Sequence, residues 1–348
     1  MLASRIIRRR MLFAAGASLA VVGLVTGCTA DSGATNTQPT NASVEGNEAQ
    51  GDTITIGYSG PAADHGWLGA INTAALAEAE KYDDINLLVA EGTNDANLQI
   101  SQVETFINDE VDAIVLLPTD GAALTAVATR AMEAGIPVIN VDREFSSTFA
   151  ARATVLGDNF GMGVSAGTYI CEELSDTPDA VIAEIAGIDS LPLTQERSAG
   201  FEQALTDCGL SVTNRVAADF TVAGGEATAS QLLASAPQID ALWNHDDDQG
   251  IGVLAAIDAA GRDEFFMVGG AGSANAMRLI QAGDSVMQAT VVYPSTQAAD
   301  GIRLARLLVQ NKAMSDLVEV EIPSRIVLNA PVVTSENVEQ YLPTAFES

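Results

Sequence analysis

Ile136-Pro137-Val138-Ile139-Asn140-Val141-Asp142-Arg143 is the stretch whose reading decides the fold. An apolar, β-branched run at 137–141 follows a helical pattern at 122–134 and ends on two charged side chains. A run that short and apolar is a strand buried on both faces, as in a parallel sheet. Towards the N-terminus the same unit recurs, with strands at 54–58, 86–89 and 113–117 and helices at 67–81 and 96–108. Beyond Arg143 the alternation starts afresh. Helices at 161–174, 195–206, 225–235, 250–260 and 274–282 precede strands at 181–185, 211–217, 239–243, 265–268 and 286–292. A long helix at 295–310 and a β-like tail follow. Parallel strands need crossover helices, so the fold class is α/β. The chain of 348 residues also exceeds the roughly 250–300 that one core usually supports. The expected architecture is therefore two doubly wound parallel-sheet lobes joined by a multi-strand hinge. Residues 52–157 plus 294–322 form the first lobe and 158–293 plus 323–348 the second, with crossings near 145–159, Tyr293 and Pro323.

Acidic residues number 46 against 16 basic ones, a formal charge of −30. Such a chain repels polyanions and has no basic face with which to release counterions from phosphate, which excludes a nucleic-acid partner. The basic residues are also unevenly spread. Arg5, Arg8, Arg9 and Arg10 precede an apolar stretch at 11–23, and together they form an export leader too short to span a bilayer. Val25-Thr26-Gly27-Cys28 resembles the lipobox of bacterial lipoproteins, which implies cleavage after residue 27 and a lipid on Cys28. Arg9-Arg10-Met11-Leu12-Phe13 resembles a twin-arginine export motif. Removing the leader's four arginines leaves 16 − 4 = 12 basic against 46 acidic residues, a net −34. Residues 29–51 are polar and small, with Val44 the only sizeable apolar side chain, so 28–51 reads as a flexible tether spanning roughly 26 Å.

Ligands of open parallel sheets sit beyond the carboxyl ends of the strands. Those ends carry His65 and Trp67, Asp142 and Arg143, Arg197, Phe220, then His245-Asp246-Asp247-Asp248, Gly270-Ala271-Gly272 and Tyr293. Rings, carboxylates and guanidinium groups suit a neutral polyhydroxylated molecule. Charged groups bind neighbouring hydroxyls in pairs, and flat rings cover C–H faces. Trp67 reads as a stacking platform, with a first-turn core residue as its alternative; Trp243, mid-strand, reads as core.

These residues resemble a type I periplasmic binding protein of the ribose-binding, sugar-ABC-importer kind, over about 53–328. The landmarks are Ile136 to Arg143, Gly187-Ile188 with Glu196-Arg197 and Gly200-Phe201, Ala218-Asp219-Phe220, and Asp240 to Asp247. The resemblance implies ligand-binding roles for His65, Trp67, Asp142, Arg143, Arg197, Phe220 and Asp246. Ala271 stands where the family places a binding Asp, so that corner is open or its role passes to Asp246 or Asp247. The last strand end offers Val292 or Tyr293, of which Tyr293 is the candidate.

Other readings of the same residues are weaker. His245 to Asp248 lacks EF-hand spacing and no zinc signature occurs, so no metal is expected. Gly270-Ala271-Gly272 lacks the third glycine of a dinucleotide fingerprint, because Asn275 stands in its place, and no cofactor is expected. No nucleophile elbow or P-loop appears, so the chain is not read as an enzyme. Cys171 and Cys208 remain once Cys28 is lipidated, and outside the cytoplasm they are expected to pair, with two separate buried thiols as the alternative. The expected function is a monomeric extracytoplasmic lipoprotein, anchored to the membrane, that captures a monosaccharide or sugar alcohol for an ABC permease and its ATPase. The alternative is a sugar or autoinducer sensor feeding a membrane receptor.

Overall fold

The computed structural model describes residues 47–314 and 322–348. The leader, the lipobox with Cys28 and most of the tether lie outside the described residues.

Two six-stranded sheets organise the chain. In the first, β1 (Ile54–Ser59), β2 (Ile85–Val89), β3 (Ala113–Leu116), β4 (Val138–Val141), β5 (Ala153–Gly157) and β11 (Arg325–Leu328) take the order β11-β5-β4-β3-β1-β2. In the second, β6 (Ile182–Ala186), β7 (Val212–Ala217), β8 (Ala241–Asn244), β9 (Phe266–Ala271), β10 (Met287–Val292) and β12 (Val332–Thr334) take the order β12-β10-β9-β8-β6-β7. All pairs are parallel except β10 with β12.

The period-two direction of strand side chains divides each sheet between two cores. Ala113 and Val115 on β3 join Ile71 of α1 (Gly66–Ala79) and Ile302 of α9 (Gln297–Val309). Ile114 and Leu116, one residue out of phase, join Val103 of α2 (Ala96–Asn108) and Leu124 of α3 (Gly121–Glu133). The second lobe repeats this plan. Trp243 and Val268 pack with Ile170 of α4 (Asn159–Glu173) and Phe201 of α5 (Pro192–Asp207). Leu242 and Met267 pack with α6 (Val222–Ser235), α7 (Asp247–Ala260) and α8 (Ala274–Ala282). Trp243 is fully buried, as its mid-strand position predicts.

Two expectations need correction. Strand β11 pairs with β5, from Arg325 against Thr154 to Leu328 against Gly157, so residues 325–328 belong to the first lobe. The third crossing therefore lies between Leu328 and Val332, not at Pro323. Residues 47–51, assigned to the tether, are held on the first lobe. Arg306 is buried against Asp84, with N–O distances of 2.7 and 2.8 Å, and its remaining N–H groups donate to the carbonyls of Asn47 and Ala49 at 2.7 and 3.0 Å. Asp84 also accepts the Gly51 amide at 2.6 Å. A buried guanidinium has five donors to satisfy, and one carboxylate cannot take them all.

Cys171 at the end of α4 and Cys208 just after α5 form a disulfide, with Cα atoms 6.2 Å apart across 37 residues of sequence. Chain-entropy arithmetic for a loop of that length gives about 4 kcal/mol. Replacing both cysteines by serine should lower the urea midpoint and steepen the slope, because the unfolded chain is then free to expand. An unaltered midpoint would show that the bond contributes nothing to stability.

Candidate ligand-binding site

The strand ends of the two sheets meet across one cavity. It is lined by His65, Trp67, Asp142 and Arg143 from the first lobe, by Leu193, Arg197, Phe220 and Asp246 from the second, and by Tyr293 at a crossing. Eight of the nine predicted binding residues converge here. Asp247 does not. It begins α7 and turns beneath β9, where its carboxylate accepts the amides of Gly270 (2.9 Å) and Ser273 (2.7 Å) and the Thr290 hydroxyl (3.0 Å). Burial lifts that carboxyl to about 8, against the pull of its donors. Asp247 is a brace for the β9 turn rather than a lining group. Ala271 is likewise absent from the cavity wall, and of the two acids Asp246 is the one that lines it.

Local backbone geometry aims several of these side chains. Asp142 and Phe220 both have positive φ, 63° and 70°, a region few residues other than glycine enter without strain. Asp246 is extended and caps α7, accepting the amides of Asp248 and Gln249 on Oδ1. Arg197 lies in α5 and is gripped on two sides. Its Nε donates to Asn159 Oδ1 at 2.9 Å and its Nη1 to the His245 carbonyl at 3.1 Å. Its guanidinium also lies 4.5 Å from the centre of the Tyr293 ring. Arg143 donates to the Thr119 carbonyl at 2.8 Å, which leaves Nε buried without a hydrogen-bond partner.

Tyr293 joins the walls. Its hydroxyl donates to Asp142 Oδ1 at 2.5 Å and accepts Asn159 Nδ2 at 3.2 Å, while its carbonyl accepts Trp67 Nε1 at 3.1 Å. The Trp67 and Tyr293 rings are 5.4 Å apart. Burial and the Asp142 charge push the phenol far above its ordinary pKa, so Tyr293 is a neutral donor throughout the working pH range. A second link between lobes runs from the Trp67 amide to Asp248 Oδ2 at 2.9 Å. His65 lies 3.4 Å from the same oxygen; burial opposes its protonation, yet Asp248, Asp246 and Asp64 together raise its pKa. Leu193 in the lining and Asn159, which holds Arg197 and Tyr293, are residues that reading the sequence did not single out; Asp248, which holds Trp67, belongs to the acidic run read at that strand end.

Burial lifts Asp246 from 3.8 to about 6; His65 works against that rise and Asp248 with it. The folded chain therefore keeps this proton where the unfolded chain has released it. Its contribution to stability is complete below about pH 4, declines as pH rises through 6, and is absent above. The difference amounts to about 3 kcal/mol. Asp246→Asn should flatten that fall in a melting-temperature profile from pH 4 to 7; an identical slope in both proteins would show that Asp246 titrates normally.

Two doubly wound lobes, three crossings and a ring-lined polar cavity between them define a two-lobed solute-binding protein. The chain belongs to the periplasmic binding protein family. The profile of the periplasmic binding protein domain matches residues 56–313, and the relatives place the chain in the type I, ribose-binding-protein-like branch. That family consists of extracytoplasmic substrate-binding proteins of transporters, not of enzymes. The ribose import binding protein of Bacillus subtilis is 30% identical over 256 residues, covering 72% of this chain and 81% of that protein. The ribose import binding protein of Escherichia coli is 26% identical over 266 residues, covering 76% and 87%. A solved ABC transporter solute binding protein from Bacillus halodurans with bound myo-inositol is 25% identical, with a TM-score of 0.75 and coverage of 84% of this chain and 98% of that one.

Proposed function

We propose that this chain is a lipid-anchored solute-binding protein that captures a monosaccharide or sugar alcohol between its lobes and delivers it to an ABC permease. The observation that carries this reading is the convergence of Trp67, Asp142 and Arg143 from one lobe with Arg197, Phe220 and Asp246 from the other on a single cavity. Hydroxyls are matched there by carboxylate acceptors and guanidinium donors, and C–H faces by Trp67, Phe220 and Tyr293. Because groups from both lobes grip one molecule, ligand stabilises the closed arrangement by its differential affinity for it. Ribose and myo-inositol, named for the relatives, belong to this chemical class.

In this reading Cys28 carries the lipid, the leader exports the chain, and the monomer presents its closed form to the permease. Cys28→Ala should release the protein from the membrane fraction. For the ligand, a thermal-shift panel of pentoses, hexoses, inositols and short alditols at millimolar concentration is decisive. A binder with a Kd of 10 µM should register about 2.7 kcal/mol of stabilisation at 1 mM. A flat response to every polyol would remove the assignment.

A further inference from the structure

Glu184 is the one carboxylate on β6, and it is buried among Ile182, Ala183, Ile185 and Ala186. An acid there loses its hydration, although an apolar side chain of similar volume would fill the same space. Donors converge on it instead. Oε1 accepts the Ser198 hydroxyl at 2.5 Å and lies 2.9 Å from His245 Nε2, while Oε2 is 3.4 Å from Arg215 Nε. Burial pushes the Glu184 pKa up, but His245, Ser198 and Arg215 together outweigh it and hold the carboxyl below its ordinary value. Burial also holds His245 below its ordinary value, against the pull of Glu184. The pair is therefore a carboxylate and a neutral imidazole whose Nε2–H donates. The other ring nitrogen, Nδ1, is buried without a hydrogen-bond partner among the described residues, so Glu184 is the polar tether of that ring.

Both hydrogen-bonded partners of Glu184 belong to what holds Arg197. Ser198 is the next residue on α5, and the His245 carbonyl is the acceptor of Arg197 Nη1. Strand β6 holds His245 at two points, because its amide donates to the Ile185 carbonyl at 3.1 Å while its ring is bound by Glu184. One carboxylate thus fixes the helix turn from which the guanidinium projects and the peptide against which it rests. Glu184 itself does not line the cavity. We propose that Glu184 is a positioning residue for Arg197, acting through Ser198 and His245 so that the guanidinium offers its uncommitted N–H groups to ligand in a single orientation. The consequence for affinity rests on the polyol reading of the cavity; the link between Glu184 and the guanidinium does not.

The test follows the guanidinium itself, by heteronuclear NMR of the arginine Nε–H groups in the full mature chain. The Arg197 signal is assigned by its loss in Arg197→Lys. Arg306, buried in the other lobe with Nε donating to Asp84, is the internal control. Glu184→Met keeps the volume and removes the acceptor, so the Arg197 signal should shift and exchange with water about tenfold faster while Arg306 is unchanged. Glu184→Gln, whose carbonyl oxygen can still accept from Ser198 and His245, should restore the parent signal. Titration calorimetry with D-ribose and with myo-inositol reads the consequence. Whichever of them binds the parent should bind Glu184→Met about tenfold more weakly and Glu184→Gln within about threefold of the parent. Ser198→Ala removes one of the two arms and should give an intermediate result; it carries the test if Glu184→Met does not fold. An unchanged Arg197 signal in Glu184→Met and Ser198→Ala would overturn the positioning role. So would an Arg306 signal that changes equally, or a Glu184→Gln protein as impaired as Glu184→Met. If neither polyol binds the parent, it is the polyol reading that fails, and the Arg197 signal still decides what Glu184 does.

Discussion

Arg197→Ala should weaken binding of whichever polyol stabilises the protein by on the order of a hundredfold to a thousandfold. The side chain is 4% exposed, and two of its five N–H groups are committed, one to Asn159 and one to the His245 carbonyl. The other three are available to ligand oxygens at the cavity wall. Removing one partner of a buried, charge-assisted contact costs about 2–5 kcal/mol, because the groups left behind lose their donor as well. Arg197→Lys should recover little. An ammonium keeps the charge but cannot hold Asn159, the carbonyl and a pair of hydroxyls in one plane, nor lie flat against the Tyr293 ring. The measurement is titration calorimetry on variants whose far-ultraviolet circular dichroism matches that of the parent. Affinity within threefold of the parent in Arg197→Ala would remove Arg197 from the site.

Most of the cavity lining is legible in the sequence because of topology. In a doubly wound sheet the residue after each strand has only one place to go, so Asp142 after β4 and Phe220 just beyond β7 had to meet at the open edge. The disulfide was legible for a related reason. Cys171 and Cys208 end two helices that cover the same strand, β6.

What the sequence did not disclose depends on details finer than that topology. Asp246 and Asp247 are adjacent acids on one loop. Which of them lines the cavity is decided by the extended backbone of Asp246 at the helix cap, and by three donors beneath β9 that claim Asp247. The sheet membership of residues 325–328 rests on pairing with β5, some 170 residues earlier in the chain, and the alternating half-burial of an edge strand carries little of that information. Residues 47–51 have the composition of a tether and behave otherwise because of hydrogen bonds to the Arg306–Asp84 pair, which no local pattern announces. Asn159 was legible in part, since it follows the last residues of a crossing, but its task of aligning Arg197 with Tyr293 belongs to tertiary geometry.

Gly157→Ala should abolish binding although residue 157 does not line the cavity. A Cβ at that position would lie 2.0 Å from Cε2 and 2.6 Å from Cδ2 of Tyr293, because the ring rests directly on the glycine at the end of β5. No real contact of that length exists, so the ring or the strand must move. Overpacking of this kind typically costs 1–3 kcal/mol of stability. The loss of function is expected to be larger than the loss of stability, because Tyr293 gathers so much of the site. Displacing it breaks the hydroxyl contact to Asp142, removes the surface against which Arg197 lies and takes away the ring beside Trp67. Gly187 stands in the same relation to Phe220, whose Cζ would lie 1.9 Å from an added Cβ. The two glycines thus make room for one ring on either side of the cavity. A double variant separates packing from binding. When Gly157→Ala is combined with Tyr293→Ala, the two changes should be far from additive in stability, since Tyr293→Ala costs about 3–5 kcal/mol of its own but removes the clash. None of the affinity should return, since the hydroxyl and the ring are gone. Full affinity in the single variant would mean that Tyr293 can leave its place without consequence, and that the cavity is not organised around it.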